Sequence, residues 1–154
     1  MARSRHLAAA FAAGLAALPL AACSHPAACP AISLASVVTI HVAEHRAATL
    51  DHASLTGEAC QDGACYGGPL ELRAEGGDST QATPVPSYVA MIQMTKPLTE
   101  NPIDLTVSGK DTSGASIGDP HLRFSPRIDY PWGPQCPRVV IAETTFDDAG
   151  LHAR

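Results

Sequence analysis

The chain has 154 residues, ten Lys plus Arg against 15 Asp plus Glu, and a formal net charge of −5. With no basic cluster anywhere, that balance argues against nucleic acid or anionic headgroups as partners recognised by charge. Aromatic residues are only 5% of the chain, so a core must rest on Val, Ile, Leu, Ala and Met, and a domain this small gains from covalent staples.

The chain opens with Arg3, Arg5 and His6, followed by an unbroken apolar run over residues 7–18. That run suits the apolar region of a signal peptide and falls short of the roughly 20 residues a spanning helix needs. Pro19 breaks it, and Leu20-Ala21-Ala22-Cys23 follows. This stretch resembles the lipobox of bacterial lipoproteins, in which the peptide is cut before the cysteine and the sulfur takes a diacylglyceryl group. The resemblance implies a lipid-attachment site at Cys23 and a protein held on the outer face of the cell membrane. An ordinary secretory signal beside an unrelated cysteine is the simpler alternative, but basic start, apolar run, small residues and cysteine all stand in register. The expected division is a signal peptide at 1–22, a lipidated tether at 23–30 and one domain at 31–154. Losing residues 1–22 removes Arg3 and Arg5, leaving eight basic against 15 acidic side chains, a net of −7.

Residues 32–43 are rich in β-branched side chains and predict the first strand. Residues 44–52 are polar and read as a loop or bend. A hairpin follows over 53–60 and 65–75, because Asp62-Gly63 is a strong two-residue turn signal. Closing that turn sets Gln61 against Ala64 and Cys60 against Cys65. The four cysteines other than Cys23 allow three pairings, and this register favours Cys60–Cys65 with Cys29–Cys136 joining the two ends of the domain. A four-thiolate metal site is the rival, but the spacing lacks the usual close cysteine pairs. Gly67-Gly68-Pro69 predicts a bulge or break before Leu70.

Residues 76–86 are a turn-rich connection. Residues 88–95 predict a strand with Tyr88, Ala90, Ile92 and Met94 on one face. Another follows over 103–110, with Ile103, Leu105 and Val107 inward. A weaker strand is expected at 122–128, a Pro- and Gly-rich corner at 130–137 and the last strand at 138–146. About seven short strands with no helical period read as an all-β, antiparallel two-sheet sandwich, immunoglobulin- or transthyretin-like in general architecture, with jelly-roll and small-barrel topologies open.

The lipobox, the Cys60–Cys65 hairpin and the Trp132-Gly-Pro-Gln-Cys136-Pro ending together resemble small secreted lipoproteins of actinobacteria. That resemblance implies an immunoglobulin-like sandwich and lends no activity. For chemistry, His41, His45 and His52 are the most tempting metal ligands. In a strand, however, His41 and His45 lie about 13 Å apart, and the HExxH order is absent. Asp111, Asp119, Asp129, Asp147 and Asp148 lack a calcium-loop pattern and suit turns. No Gly-x-Ser-x-Gly elbow is present. Tyr130 and Trp132 offer either an exposed aromatic patch or, the favoured account, a cap on one end of the sandwich beside Cys136. The expectation is a non-enzymatic envelope lipoprotein with a binding or accessory role and no cofactor; the alternative is a metal- or small-ligand-binding envelope lipoprotein that uses these histidines and acids. Its partners would be the membrane, through lipid on Cys23, and another envelope protein or a small ligand.

Overall fold

The structure, a computed structural model, describes residues 29–30, 35–75 and 87–154. The signal segment, Cys23, residues 32–34 of the expected first strand and the 76–86 connection lie outside them. Among the described residues no helix is long and apolar enough to cross a membrane.

Alternation of side chains generates the architecture. β1 (Val37–Val42) buries Val38, Ile40 and Val42 and turns Val37, Thr39 and His41 outward. β5 (Tyr88–Gln93) buries Ala90 and Ile92, β6 (Ile103–Ser108) buries Ile103, Leu105 and Val107, and β9 (Val139–Asp147) buries Ala142, Thr144 and Phe146. Apart from Thr144, whose hydroxyl donates to the Thr39 carbonyl, these inward faces are apolar, so the strands collapse into two sheets with those faces inward. The larger sheet has the order β10 (Gly150–Ala153), β9, β1, β5, β4 (Arg73–Ala74), with β8 (Arg127–Asp129) added to β9. The smaller has the order β3 (Ala64–Pro69), β2 (Thr56–Gln61), β6, β7 (His121–Phe124).

This is an immunoglobulin-like sandwich with one substitution. β1 to β7 occupy the places of strands B, C, C′, D, E, F and G, as D-E-B in one sheet and C′-C-F-G in the other, all antiparallel. Beside B, where an A strand would lie, the chain places β9, parallel to β1 from Val38↔Ala142 to Val42↔Phe146.

The hairpin has the expected register, Gln61↔Ala64 and Cys60↔Cys65. Asp62 and Gly63 both have positive φ, 52° and 75°, as a two-residue turn matched to strand twist requires. Both disulfides form, Cys60–Cys65 with Cα atoms 4.0 Å apart and Cys29–Cys136 with Cα atoms 5.4 Å apart. Buried Gln61 bonds the carbonyls of Thr99 and Asn101 and the amide of Thr99, while Asp62 accepts from the Thr99 hydroxyl and the Asn101 side-chain amide. The hairpin tip thereby clamps the loop before β6.

Several expectations are corrected. Of the expected bulge or break the break is what occurs: β3 runs without a bulge and ends at Pro69, after which buried Leu70 leads the chain across to β4 in the other sheet. Gly67 serves close approach there, since a Cβ would lie 2.5 Å from the Gly57 carbonyl oxygen. The 122–128 strand splits at Ser125-Pro126. β7 pairs with β6 in the smaller sheet and β8 with β9 in the larger, so the chain changes sheets at the proline. A tenth strand, β10, follows the strand expected to be last. The stretch read as a bend is a short helix, α1 (Glu44–Thr49), and a 3₁₀ turn at His52–Ser54. No side chain caps α1 at Ala43. Tertiary contact holds it instead, through buried Ala47 and the Arg46 guanidinium 4.7 Å above the Phe146 ring.

Two stability experiments test this packing. Leu105→Ala, at a fully buried site, should lower unfolding free energy by about 2–5 kcal/mol, read from urea midpoints. In the chain-entropy relation, replacing Cys29 and Cys136 by serine should cost about 5 kcal/mol and the same change at Cys60 and Cys65 about 2 kcal/mol, because the sequence separations closed are 107 and 5. Equal losses would show that chain closure does not govern the effect.

Candidate functional site

Residues 130–136 form a corner between β8 and β9 made of successive turns. The Asp129 carboxylate accepts from the Tyr130 amide, the Tyr130 carbonyl from the Gly133 amide and the Gly133 carbonyl from the Cys136 amide. Gly133 has φ of 87°, the left-handed region that glycine tolerates. The Gln135 side-chain amide donates to the Trp132 carbonyl. These bonds fix Trp132, half-buried, against the outer face of the larger sheet.

A groove of about 310 Å³ results, mostly apolar, between the corner and the starts of β1 and β9. Pro131 and Trp132 wall it, Val37, Thr39, Ile141 and Ala142 lie along it, and Asp129 and Glu143 mark its rim. Arg127 spans those two acids at 3.4 and 3.2 Å and offsets one of their two negative charges. A concave apolar surface with a few polar groups at its edge is the usual form of a binding site. The size is at the low end of that class. Tyr130, 47% exposed, stands beside it. The corner thus presents a partly exposed aromatic surface next to Cys136.

The histidines do not converge. His41, on the outer face of β1, has Nδ1 at 3.1 and 3.3 Å from the two Glu75 oxygens. His45 on α1 pairs with Asp148 at 2.9 Å. His52 meets the Ala47 carbonyl oxygen at 2.9 Å and packs edge-on to Tyr88. Among the described residues the one trio of potential ligands within reach of a common ion is Glu58, Cys60 and Cys65. Its two sulfurs are joined to each other, so neither offers the thiolate that binds metal. The acids are similarly occupied. Asp111 accepts from Ser113 and Ala115 in a turn, Asp119 from Ser108, and Asp147 from the Ala149 amide with His152 at 3.1 Å.

A second polar cluster, which sequence reasoning missed, joins His41 to Glu75 and Ser87 near Arg154. The Ser87 hydroxyl donates to Glu75 rather than to the imidazole. That bond chiefly holds the Glu75 carboxyl below its ordinary value of 4.5; desolvation opposes it, and His41 and Arg154 add to the lowering. The buried His41 Nε2 has no protein partner among the described residues. The three groups were not legible because Glu75 and Ser87 flank the 76–86 connection and meet only once β4 pairs with β5.

No protein-family model, no curated protein and no solved structure matches the chain.

Glu75 makes a defined acid response. Its folded pKa is lowered, so the unfolded chain takes up the proton first as pH falls. The stability it contributes is present above the ordinary value and disappears as pH drops through the lowered one. Glu75→Gln should therefore leave a shallower loss of stability as pH falls from neutral to below the ordinary value of 4.5, read from urea midpoints across that range. An unchanged slope would show that Ser87 and His41 do not hold the charged form.

Proposed function

We propose that the chain is a lipid-anchored protein of the cell envelope, in which an immunoglobulin-like sandwich serves as a non-catalytic binding or accessory module. One observation carries the reading. Cys29 pairs with Cys136 and Cys60 with Cys65, so Cys23, the residue in the lipobox-like Leu20-Ala21-Ala22-Cys23 stretch, has no cysteine left in the chain to pair with. Two disulfides also suit an oxidising, extracytoplasmic compartment. On Cys23 a diacylglyceryl group supplies two acyl chains, and two chains suffice for stable anchoring.

The non-catalytic half of the reading is supported by how the polar groups are connected. Nucleophilic catalysis needs a hydroxyl or thiol whose proton a base can take. The Ser87 hydroxyl donates to a carboxylate whose proton affinity is reduced, rather than to an imidazole. The four paired cysteines have no thiol. What is left for contact is shape, namely the apolar groove beside Trp132 and the loops at the ends of the sandwich.

Intact mass of protein extracted from its own membrane should equal residues 23–154 plus lipid, less the four hydrogens of two disulfides. Cys23→Ala should abolish the lipid mass and move the protein from the detergent-extracted to the soluble fraction. Membrane retention of that variant without lipid would overturn the anchor.

A further inference from the structure

We propose that the end of the sandwich built by residues 130–137 lies in the membrane interface, with Tyr130 and Trp132 at headgroup level, so that the domain rests on the bilayer in one orientation. This rests on the lipid anchor at Cys23 proposed above. The occupant of the exposed aromatic corner is then the surface of the bilayer that holds the anchor.

Reach is the first argument. The Cys29–Cys136 bridge fastens the tether to the corner, and the Cys29 sulfur lies 3.7 Å from the Gln135 carbonyl oxygen. The stretch of chain from Cys23 to Cys29 extends at most roughly 20 Å. A lipidated Cys23 therefore cannot carry the membrane farther than that from Cys29, whichever path the tether takes. The corner is the part of the fold attached to the point where the tether enters.

Composition is the second. Residues 130–137 read Tyr-Pro-Trp-Gly-Pro-Gln-Cys-Pro, with neither an acid nor a base among them. Tyr and Trp suit the interface because each has an apolar ring and one polar atom. Tyr130 is one of two large hydrophobic residues exposed among the described residues, and Trp132 opens onto the apolar groove.

Charge is the third. β1 and β9 start at this end, β2 and β5 finish there and β6 begins there. The charged residues flanking the corner at that end are Lys96, Arg127 and Arg138 against Asp62, Glu100, Asp129 and Glu143, a net of only −1. Arg138 pairs with Glu100, and Arg127 with Asp129 and Glu143. At the opposite end Glu44, Asp51, Asp111, Asp119, Asp147 and Asp148 outnumber Arg46 and Lys110. The acid excess that would be repelled by an anionic leaflet is thus carried away from the corner.

Trp132 is the only tryptophan in the chain, so intrinsic tryptophan fluorescence reads this site alone. The lipidated protein, with its Cys23 modification verified by intact mass, is reconstituted into phosphatidylcholine vesicles with either ordinary or brominated acyl chains. The expected result is loss of Trp132 emission in the brominated vesicles and lower quenching by aqueous acrylamide than for the same protein in detergent-free solution after lipid removal. Lipidated protein whose emission is insensitive to bromine and fully open to acrylamide would overturn the orientation while the anchor stands. Protein that carries no lipid on Cys23 would overturn the anchor, and this proposal with it.

Discussion

The fold depends on the hydrogen bonding of β1 along both of its edges, antiparallel to β5 and parallel to β9. A parallel neighbour cannot come from a tight turn, and Val38 and its partner Ala142 stand at opposite ends of the domain sequence. Closing such a separation is entropically costly. The chain offsets that cost by covalent means. Parallel strands start at the same end, so the segments leading into β1 and β9 must lie side by side. Cys29 and Cys136 precede those two strands and are joined. Strand pairing and disulfide are two expressions of one constraint. Phe146, 2% exposed and near the end of the parallel ladder, shows how much of the core stands on it.

The same constraint assembles the surface features. Because β9 begins at the end where Cys29 is bridged to Cys136, the turns that precede it bring Trp132 over the starts of β1 and β9 and create the groove. An A strand in that position would have run antiparallel to β1, with no corner leading into it from a distant part of the chain. The groove is therefore a product of the substituted strand. The polar cluster of His41, Glu75 and Ser87 lies farther along the same outer face, at the other end of β1. The outer face of the larger sheet is apolar where it begins and polar where it ends.

What was legible in the sequence was local. Asp62-Gly63 determined the hairpin register and, through it, the Cys60–Cys65 pair. Two-residue alternation sorted the two faces of β5 and identified the buried face of β6. What escaped depended on partners remote in sequence. α1 is six residues long, without a side-chain cap, and owes its shape to Ala47 and to Arg46 over Phe146. The sheet change at Pro126 looks like an uninterrupted weak strand until β6 and β9 are seen to claim its two halves. β10 is four residues with one charge-capable side chain, His152, and it forms because Gly150 at φ of 108° turns it back along β9. The groove and the His41 cluster were illegible for the same reason, since each joins residues from three or more separated segments.

The edges of the sheets bear on how such a module makes contact. An open edge is an invitation to pair with another chain, and strand addition is a common mode of recognition. Here β4 is only two residues long, β7 and β10 four each, and the six-residue β3 ends in Pro69. β3 is also bound to β2 through the Cys60–Cys65 bridge, and β7 carries His121 and Arg123 in ion-pair reach of Asp104. Short length, proline and charge each discourage an added strand. With its edges blunted, the sandwich keeps its contact surfaces in side chains rather than in backbone. Under the binding role proposed above, contact falls to the groove and to the loops at the two ends, one aromatic and nearly charge-balanced, the other acidic. The acidic end lies away from the Cys29–Cys136 bridge, so contact there would leave the aromatic corner open.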